Sequence, residues 1–170
     1  LLGSRGLGDV YKRQGYGAVM PPVYLTSTYA QSTPGGHKGY EYSRTHNPTR
    51  TALEAALASI EDGTHGFCFG SGMAAIDAVI KLLSPGDEVI STNDLYGGSY
   101  RIFTKIFEDF GIGFHFVDMQ NPANVAAKIN AKTKLIWIET PTNPMMNVVD
   151  IEALHKLVVE KDILMAVDNT

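Results

Sequence analysis

Short apolar runs alternate with helix-like segments from residue 66 onward, and this alternation constrains the fold more than any other feature. We predict strands at 66–69, 88–92, 114–117, 134–138 and 163–167. Predicted helices lie between them at 73–83, 99–110, 124–129 and 150–160. Strands that alternate with helices form βαβ units, because a parallel neighbour can be reached only through a crossover. The sequence therefore predicts an α/β fold, with a mostly parallel sheet and helices on both faces.

The segment before the first predicted strand has a different character. Residues 1–14 carry three basic residues against one acidic residue and show no periodicity, so we expect a flexible leader, either native or left by cloning or sequencing. Residues 15–47 are rich in Pro, Gly, Thr, Ser and Tyr, which predicts an extended N-terminal arm. Asn47 and Pro48 then predict a helix start, and Gly63 predicts its C-cap. We expect 48–170 to be an incomplete, truncated α/β domain, because the last predicted strand is followed only by Asp168-Asn169-Thr170.

Composition argues against several classes of protein. The chain has 18 acidic and 14 basic residues, a balance that gives no electrostatic footprint for nucleic acid. No apolar run approaches the ~18 residues of a membrane span, so no membrane partner is expected. One cysteine argues against a disulfide framework or a cysteine-based zinc cluster and favours a cytoplasmic location. The five histidines show no metal-binding spacing, so no metal site is predicted.

Two nucleotide-binding motifs are absent, and one hydrolase motif has a near match. The chain contains neither GxGxxG after a strand nor GxxxxGK[ST]. Gly66-Phe67-Cys68-Phe69-Gly70 resembles a nucleophile elbow with Cys68 as the nucleophile. However, Cys68 lies between two phenylalanines inside a predicted strand, which is more typical of an inert core thiol. A Cys68 hydrolase and a non-catalytic fragment remain the alternatives of other classes.

The predicted strand ends carry a more specific combination of residues. Ser71-Gly72-Met73 places a hydroxyl and backbone N–H groups at a helix N-terminus, a site that favours anions such as phosphate. Tyr96 lies on a glycine-rich loop and suits stacking on a flat ring. Asp168 ends an apolar strand and could pair with a buried cation. Together these features indicate a site for pyridoxal phosphate.

From about Ala18 to Thr170 the chain resembles the pyridoxal-phosphate enzymes of cysteine and methionine metabolism, near cystathionine γ-synthase and cystathionine γ-lyase. The resemblance is carried by five ordered motifs: 42-YSRTHNPTR-50, 71-SGM-73, 95-LYGG-98, 139-ETPTNP-144 and 167-VDNT-170. It implies the large cofactor-binding domain of the aspartate-aminotransferase-like fold (fold type I).

The resemblance also implies roles for individual residues in binding the cofactor. The phosphate would be held at Ser71, Gly72 and Met73. Tyr96 would stack on the ring and assist proton transfer as a catalytic residue. The ring nitrogen would pair with Asp168, and Asn143 would bond near the ring hydroxyl.

Three residues on the arm have implied roles at the site as well. Tyr42 and Arg44 would reach the cofactor phosphate of a neighbouring subunit, which implies a homo-oligomer, expected to be a homotetramer. Glu41 would meet the distal ammonium of cystathionine. Gly98 stands where methionine γ-lyases tend to carry cysteine, which argues mildly against that branch.

The activity implied by the resemblance is trans-sulfuration, by γ-replacement or γ-elimination on cystathionine or an O-acylated homoserine. Methionine γ-lyase and O-acetylhomoserine sulfhydrylase are the alternatives within the family. Members bind the cofactor covalently through a lysine beyond the Asp168 motif, and none of the nine lysines of this chain matches that position. We therefore expect the 170 residues by themselves to be inactive.

Overall fold

A computed structural model of the chain describes residues 20–170, which belong to two compact units, the first ending at Cys68 and the second spanning Phe69–Thr170. The predicted leader, 1–14, lies outside the described residues. The predicted limits of the arm (15–47) and of the incomplete domain (48–170) stay predictions.

The described part of the first unit consists of an extended segment and one helix, α1 (Pro48–Ile60). In the extended segment, Thr28 and Tyr42 form an isolated antiparallel bridge. The predicted N-cap is confirmed, since the Asn47 side chain accepts the Thr49 N–H at 2.8 Å. The predicted C-cap at Gly63 is wrong: the helix ends at Ile60 with Glu61 as its C-cap, and Asp62 takes the left-handed conformation at φ 50°.

The strand predicted at 66–69 is not formed. This stretch has no strand partner in the part of the chain that the structure describes, and the Cys68 N–H donates instead to the Glu54 carboxylate at 3.0 Å. Phe67 and Phe69 are exposed rather than buried. An apolar run becomes a strand only where a neighbour takes up its backbone groups, and none does so here.

The second unit contains a four-stranded parallel sheet flanked by helices. Its elements are, in chain order, α2 (Gly72–Ile80), β1 (Glu88–Thr92), α3 (Gly97–Ile102), a π-helical turn (Phe103–Phe107), β2 (Gly113–Val117), α4 (Pro122–Ala126), β3 (Thr133–Glu139), α5 (Ile151–Val158) and β4 (Leu164–Asp168). The strands are ordered β2-β1-β3-β4, and every neighbouring pair is parallel. The predicted α/β class is confirmed.

The core lies on both faces of this sheet because successive strand residues point to opposite sides. Val89 and Leu135 pack with Phe103 and the α2 residue Ile80 on one face. The other face buries Ile90, Ile136, Ile138, Val125 and Leu154 beneath α4 and α5. The prediction of helices on both faces is therefore confirmed.

The helix predicted at 99–110 differs from the structure in its second half. After α3 the chain forms a π turn, in which the Glu108 N–H donates to the Phe103 carbonyl at 3.0 Å. The wider turn rotates the following residues away from the face that a regular helix would give them. Phe103 and Phe107 are buried, whereas Ile106 and Phe110 are exposed.

Candidate functional site

A crevice is expected at the carboxyl ends of β1 and β3. The chain leaves β1 toward β2 on one side and leaves β3 toward β4 on the other, so the two connections diverge. Ligands of open α/β sheets bind at such switch points. The loops after β1 and β3 therefore form the first place to look for chemistry.

The structure has a pocket of about 790 Å³ at this position. Six residues predicted to bind the cofactor line it: Ser71, Gly72, Met73, Tyr96, Asn143 and Asp168. They come from four separate stretches of the sequence, and the sheet brings them together.

One end of the pocket is the N-terminus of α2. Ser71 is the N-cap, and its Oγ accepts the Ala74 N–H at 3.2 Å. No atom lies within 4 Å of the point where a Cβ on Gly72 would stand, so the backbone is open to a ligand there. The first N–H groups of a helix have no partner within it, and the macrodipole favours negative charge. This end of the pocket suits a phosphate.

The Tyr96 ring forms another wall, and its position depends on Gly98. A Cβ on Gly98 would stand 2.3 Å from Tyr96 Cε1 and 2.9 Å from Met73 Sδ. A side chain there would therefore push the ring away. About half of Tyr96 is exposed, which leaves the ring accessible to a flat ligand.

Glu139, a residue to which the sequence analysis gave no role, is buried at the pocket wall and only 5% exposed. Its carboxylate accepts the Tyr96 N–H with both oxygens, at 3.0 and 2.9 Å, and the Asn143 N–H at 3.1 Å. Burial raises the pKa of Glu139, and the nearby carboxylates of Asp168 and Asp94 add to the rise, while the two N–H groups oppose it. Its place at the end of a predicted strand was the sequence signal that could have identified it.

Asp94, on the loop after β1, forms hydrogen bonds across the crevice with the loop after β3. It follows β1, and its carboxylate accepts the Thr142 hydroxyl and the Met145 N–H, the latter at 3.0 Å. Residues after β1 therefore hold the loop after β3, while Glu139 of β3 holds the loop after β1.

Asp168 lies at the carboxyl end of β4, directly beside Glu139 in the strand register. It is half-buried, and its Oδ1 accepts the Thr170 N–H at 3.1 Å. Because neighbours in parallel register point to the same face, two carboxylates stand side by side at the pocket. Such a site favours a cationic group of a ligand.

The predicted arm residues belong to the first unit. Arg44 Nη2 donates to the Tyr42 hydroxyl at 2.6 Å, and the guanidinium lies 5.0 Å from the centre of the Tyr42 ring. Glu41 is exposed. Their predicted roles toward a cofactor and a substrate stay predictions.

We also searched the described residues for a cysteine nucleophile, a metal site and a membrane-spanning helix. The Cys68 thiol is half-buried and forms no hydrogen bond with a histidine among residues 20–170. In the same stretch no group of three His, Cys, Asp or Glu side chains could hold a metal ion. The described helices also include none that is long and apolar enough to cross a membrane.

Residues 8–170 match the sequence model of a family described as Cys/Met metabolism PLP-dependent enzyme. The chain belongs to this family. The resemblance seen in the motifs is thereby confirmed, and the cofactor of this family is pyridoxal phosphate (PLP).

Individual members of the Cys/Met metabolism PLP-dependent family are similar over most of the chain. A cystathionine beta-lyase of Coxiella burnetii is 48% identical over 155 residues, which cover 91% of this chain and 40% of the relative. A cystathionine gamma-lyase of Bacillus subtilis is 49% identical over 154 residues, or 91% of this chain and 41% of the relative. The crystal structure of metB from Corynebacterium glutamicum superimposes with a TM-score of 0.91 at 40% identity, covering 100% of this chain and 45% of that one. The chain therefore spans less than half the length of these relatives.

The pocket meets the chemical requirements of the family's cofactor. Its open helix N-terminus suits a phosphate, the half-exposed Tyr96 ring suits a flat heterocycle, and Asp168 suits a protonated ring nitrogen. Eight lysines lie within residues 20–170, and none of them lines this pocket.

Proposed function

We propose that the pocket binds pyridoxal phosphate with its phosphate at the N-terminus of α2 and its ring between Tyr96 and the carboxylate of Asp168. The observation that carries this proposal is the convergence of Gly72, Tyr96 and Asp168 on one pocket at the strand ends. Asn143 lines the same pocket and supplies an amide that can bond to the ring hydroxyl.

Each residue then has a defined task. Ser71, Gly72 and Met73 bind the phosphate and set its depth. Asp168 holds a proton on the ring nitrogen, because an ionised carboxylate stabilises an adjacent cation. The cofactor supplies an electron sink for negative charge that develops on an amino-acid substrate. Tyr96 orients the ring and can move a proton through its hydroxyl.

The reaction we propose is trans-sulfuration at the γ-carbon of cystathionine or an O-acylated homoserine, as in a cystathionine γ-lyase or γ-synthase. The γ-lyase relative, at 49% identity, supports this activity. A β-elimination from cystathionine is the second candidate, supported by the beta-lyase relative at 48% identity. The sequence identities to the two relatives, 49% and 48%, are too similar to decide between γ-elimination and β-elimination.

We further propose that the active protein is a cytoplasmic homo-oligomer. In it, Tyr42 and Arg44 reach the cofactor phosphate of the neighbouring subunit, and Glu41 meets the substrate's distal ammonium. The planar fork of an arginine suits bidentate contact with a phosphate. A lysine outside these 170 residues completes the site, so residues 1–170 are inactive alone; the absence of a pocket-lining lysine among residues 20–170 supports this.

A chimera tests the reaction. The 154 matching residues of this chain replace their counterparts in the Bacillus subtilis cystathionine gamma-lyase, and the purified chimera is supplied with cystathionine and pyridoxal phosphate. Gamma-elimination releases cysteine, ammonia and 2-oxobutanoate, whereas β-elimination releases homocysteine, ammonia and pyruvate. The keto acid formed therefore identifies the bond that is broken.

We expect 2-oxobutanoate from the chimera and neither keto acid from the Asp168→Asn chimera. An Asp162→Asn chimera is the matched control, because Asp162 is exposed and pairs with Lys134 at 2.7 Å. A folded chimera that binds no cofactor would contradict the proposed site, and pyruvate as the main product would favour the second candidate.

A further inference from the structure

Glu139 is a buried carboxylate without a cationic partner among residues 20–170. None of the ion pairs among residues 20–170 includes it. Its hydrogen bonds come instead from the backbone N–H groups of Tyr96 and Asn143. Burying a charge is costly unless hydrogen bonds compensate, so these N–H groups are its main stabilising contacts.

The two donors lie on different loops. Tyr96 belongs to the connection after β1, and Asn143 belongs to the connection after β3. Glu139 itself is held by the sheet: its N–H donates to Thr92 Oγ1 at 3.0 Å, and it pairs in register with Asp168. A fixed strand end thus holds two loops that carry side chains of the same pocket.

We propose that Glu139 is a positioning residue whose carboxylate sets the spacing between Tyr96 and Asn143 and thereby shapes the ring-binding part of the pocket. This proposal rests on the proposed function as a pyridoxal phosphate site. Glu139 acts through the two loops, whereas Ser71, Gly72 and Met73 form the phosphate end without it.

Both carboxylate oxygens of Glu139 accept hydrogen bonds from the loops. Oε1 accepts from Tyr96 and Asn143, and Oε2 accepts from Tyr96. A glutamine offers one acceptor oxygen, and its NH₂ group would face an N–H donor. Glu139→Gln therefore keeps the size of the side chain but removes the negative charge and replaces the Oε2 acceptor of the Tyr96 N–H by a donor.

The surrounding charges agree with this role. Asp168 and Asp94 are the ionisable groups that act on Glu139 through their charge, and both raise its pKa. Three carboxylates near one pocket cost free energy when it holds no cation, and a protonated ring nitrogen relieves that repulsion.

The test compares the full chain with Glu139→Gln and with Glu88→Gln as the control. Glu88 also accepts two hydrogen bonds, from His115 at 2.7 Å and Asn130 at 2.8 Å, but it lies at the amino end of β1. The probes are pyridoxamine 5′-phosphate, which has no aldehyde to react with lysines, and inorganic phosphate. Binding is measured by calorimetry, and amide exchange of Tyr96 and Asn143 is measured by NMR.

We expect Glu139→Gln to weaken pyridoxamine 5′-phosphate binding by about tenfold, the scale of one lost charge-assisted hydrogen bond. Inorganic phosphate binding should not change, and the Tyr96 and Asn143 amides should exchange faster. Glu88→Gln should alter neither the binding nor those amides. Equal binding of pyridoxamine 5′-phosphate by Glu139→Gln and the unchanged chain would overturn the positioning role, as would equal loss of both ligands.

A measurement on the unchanged chain covers the case in which Glu139→Gln fails to fold. The amide protons of Tyr96 and Asn143 should shift together with pH and share one midpoint, because they donate to the same carboxylate. Separate midpoints would overturn the proposal. A chain that binds phosphate but not pyridoxamine 5′-phosphate contradicts the proposed function itself, and this outcome needs no variant to be seen.

Discussion

Glu139 and Asp168 are register partners at the carboxyl ends of β3 and β4, so two carboxylates point into the same pocket from adjacent strands. Only Glu139 is buried to 5% exposure, and its raised pKa follows chiefly from that burial. In the proposed site Asp168 would therefore face the ligand, while Glu139 accepts hydrogen bonds from the backbone around it.

The raised pKa of Glu139 predicts a pH-dependent stability. The pKa of Glu139 is raised above its ordinary value of 4.5 in the folded chain, so the folded chain binds this proton more tightly than the unfolded chain does. The free energy of unfolding should therefore fall as pH rises through the raised pKa, by at most about 1.4 kcal/mol per pH unit. Urea denaturation of the unchanged chain and of Glu139→Gln from pH 4.5 upward measures this effect as the difference between them.

As pH rises, the free energy of unfolding of the unchanged chain should fall relative to that of Glu139→Gln. Glu88 and Asp162, whose pKa values are lowered by hydrogen bonds to Asn130 and Lys134, titrate at lower pH and contribute equally to both variants. A difference that stays flat or moves the other way would show that Glu139 titrates normally.

Gly98→Ala should displace the Tyr96 ring, because its Cβ would overlap Cε1 at 2.3 Å. We expect pyridoxamine 5′-phosphate to bind about three- to tenfold more weakly, the worth of a ring contact. Gly97→Ala is the control, since no atom lies within 4 Å of the Cβ it would add. Similar affinities of the two variants in calorimetry would refute the role of Gly98.

Ser71→Ala should cost both stability and phosphate binding. Loss of the N-cap of α2 destabilises the fold by about 1 kcal/mol, and the same loss follows from Asp150→Ala at α5. Of these two residues only Ser71 borders the pocket, so only its replacement should weaken the binding of inorganic phosphate. Urea denaturation and a phosphate titration separate the two effects, and a similar loss of phosphate affinity in Asp150→Ala would count against the site.

Asp94→Asn should loosen the loop after β3. Its carboxylate receives the Thr142 hydroxyl and the Met145 N–H, and weakening these bonds should cost about 1–2 kcal/mol of stability. Amide exchange at Met145 should accelerate. Asp118→Asn is the control, because among residues 20–170 the Asp118 carboxylate accepts only a local N–H, from Gln120 at 2.9 Å. Unchanged exchange at Met145 in Asp94→Asn would disprove the contact.

The sequence predicted much of this fold because the strands of the sheet are short apolar runs bounded by turn residues. The limits 88–92 are reproduced, and the predicted cap at Asn47 acts on an N–H only two residues away. The run at 66–69 was misassigned because strand formation depends on a distant neighbour, and the π turn after Ile102 leaves no mark in hydrophobic periodicity. Glu139 was overlooked for a related reason: its partner Tyr96 lies 43 positions away.

The hydrogen bonds across the crevice join residues that are 43 to 51 positions apart. Such contacts form only after the intervening chain has closed a long loop, at a cost in entropy that local contacts do not carry. The N-terminus of α2, where we propose the phosphate binds, is by contrast built from consecutive residues. During folding this helix end should therefore form first, and the walls of the proposed ring site should meet only once β1 and β3 have paired.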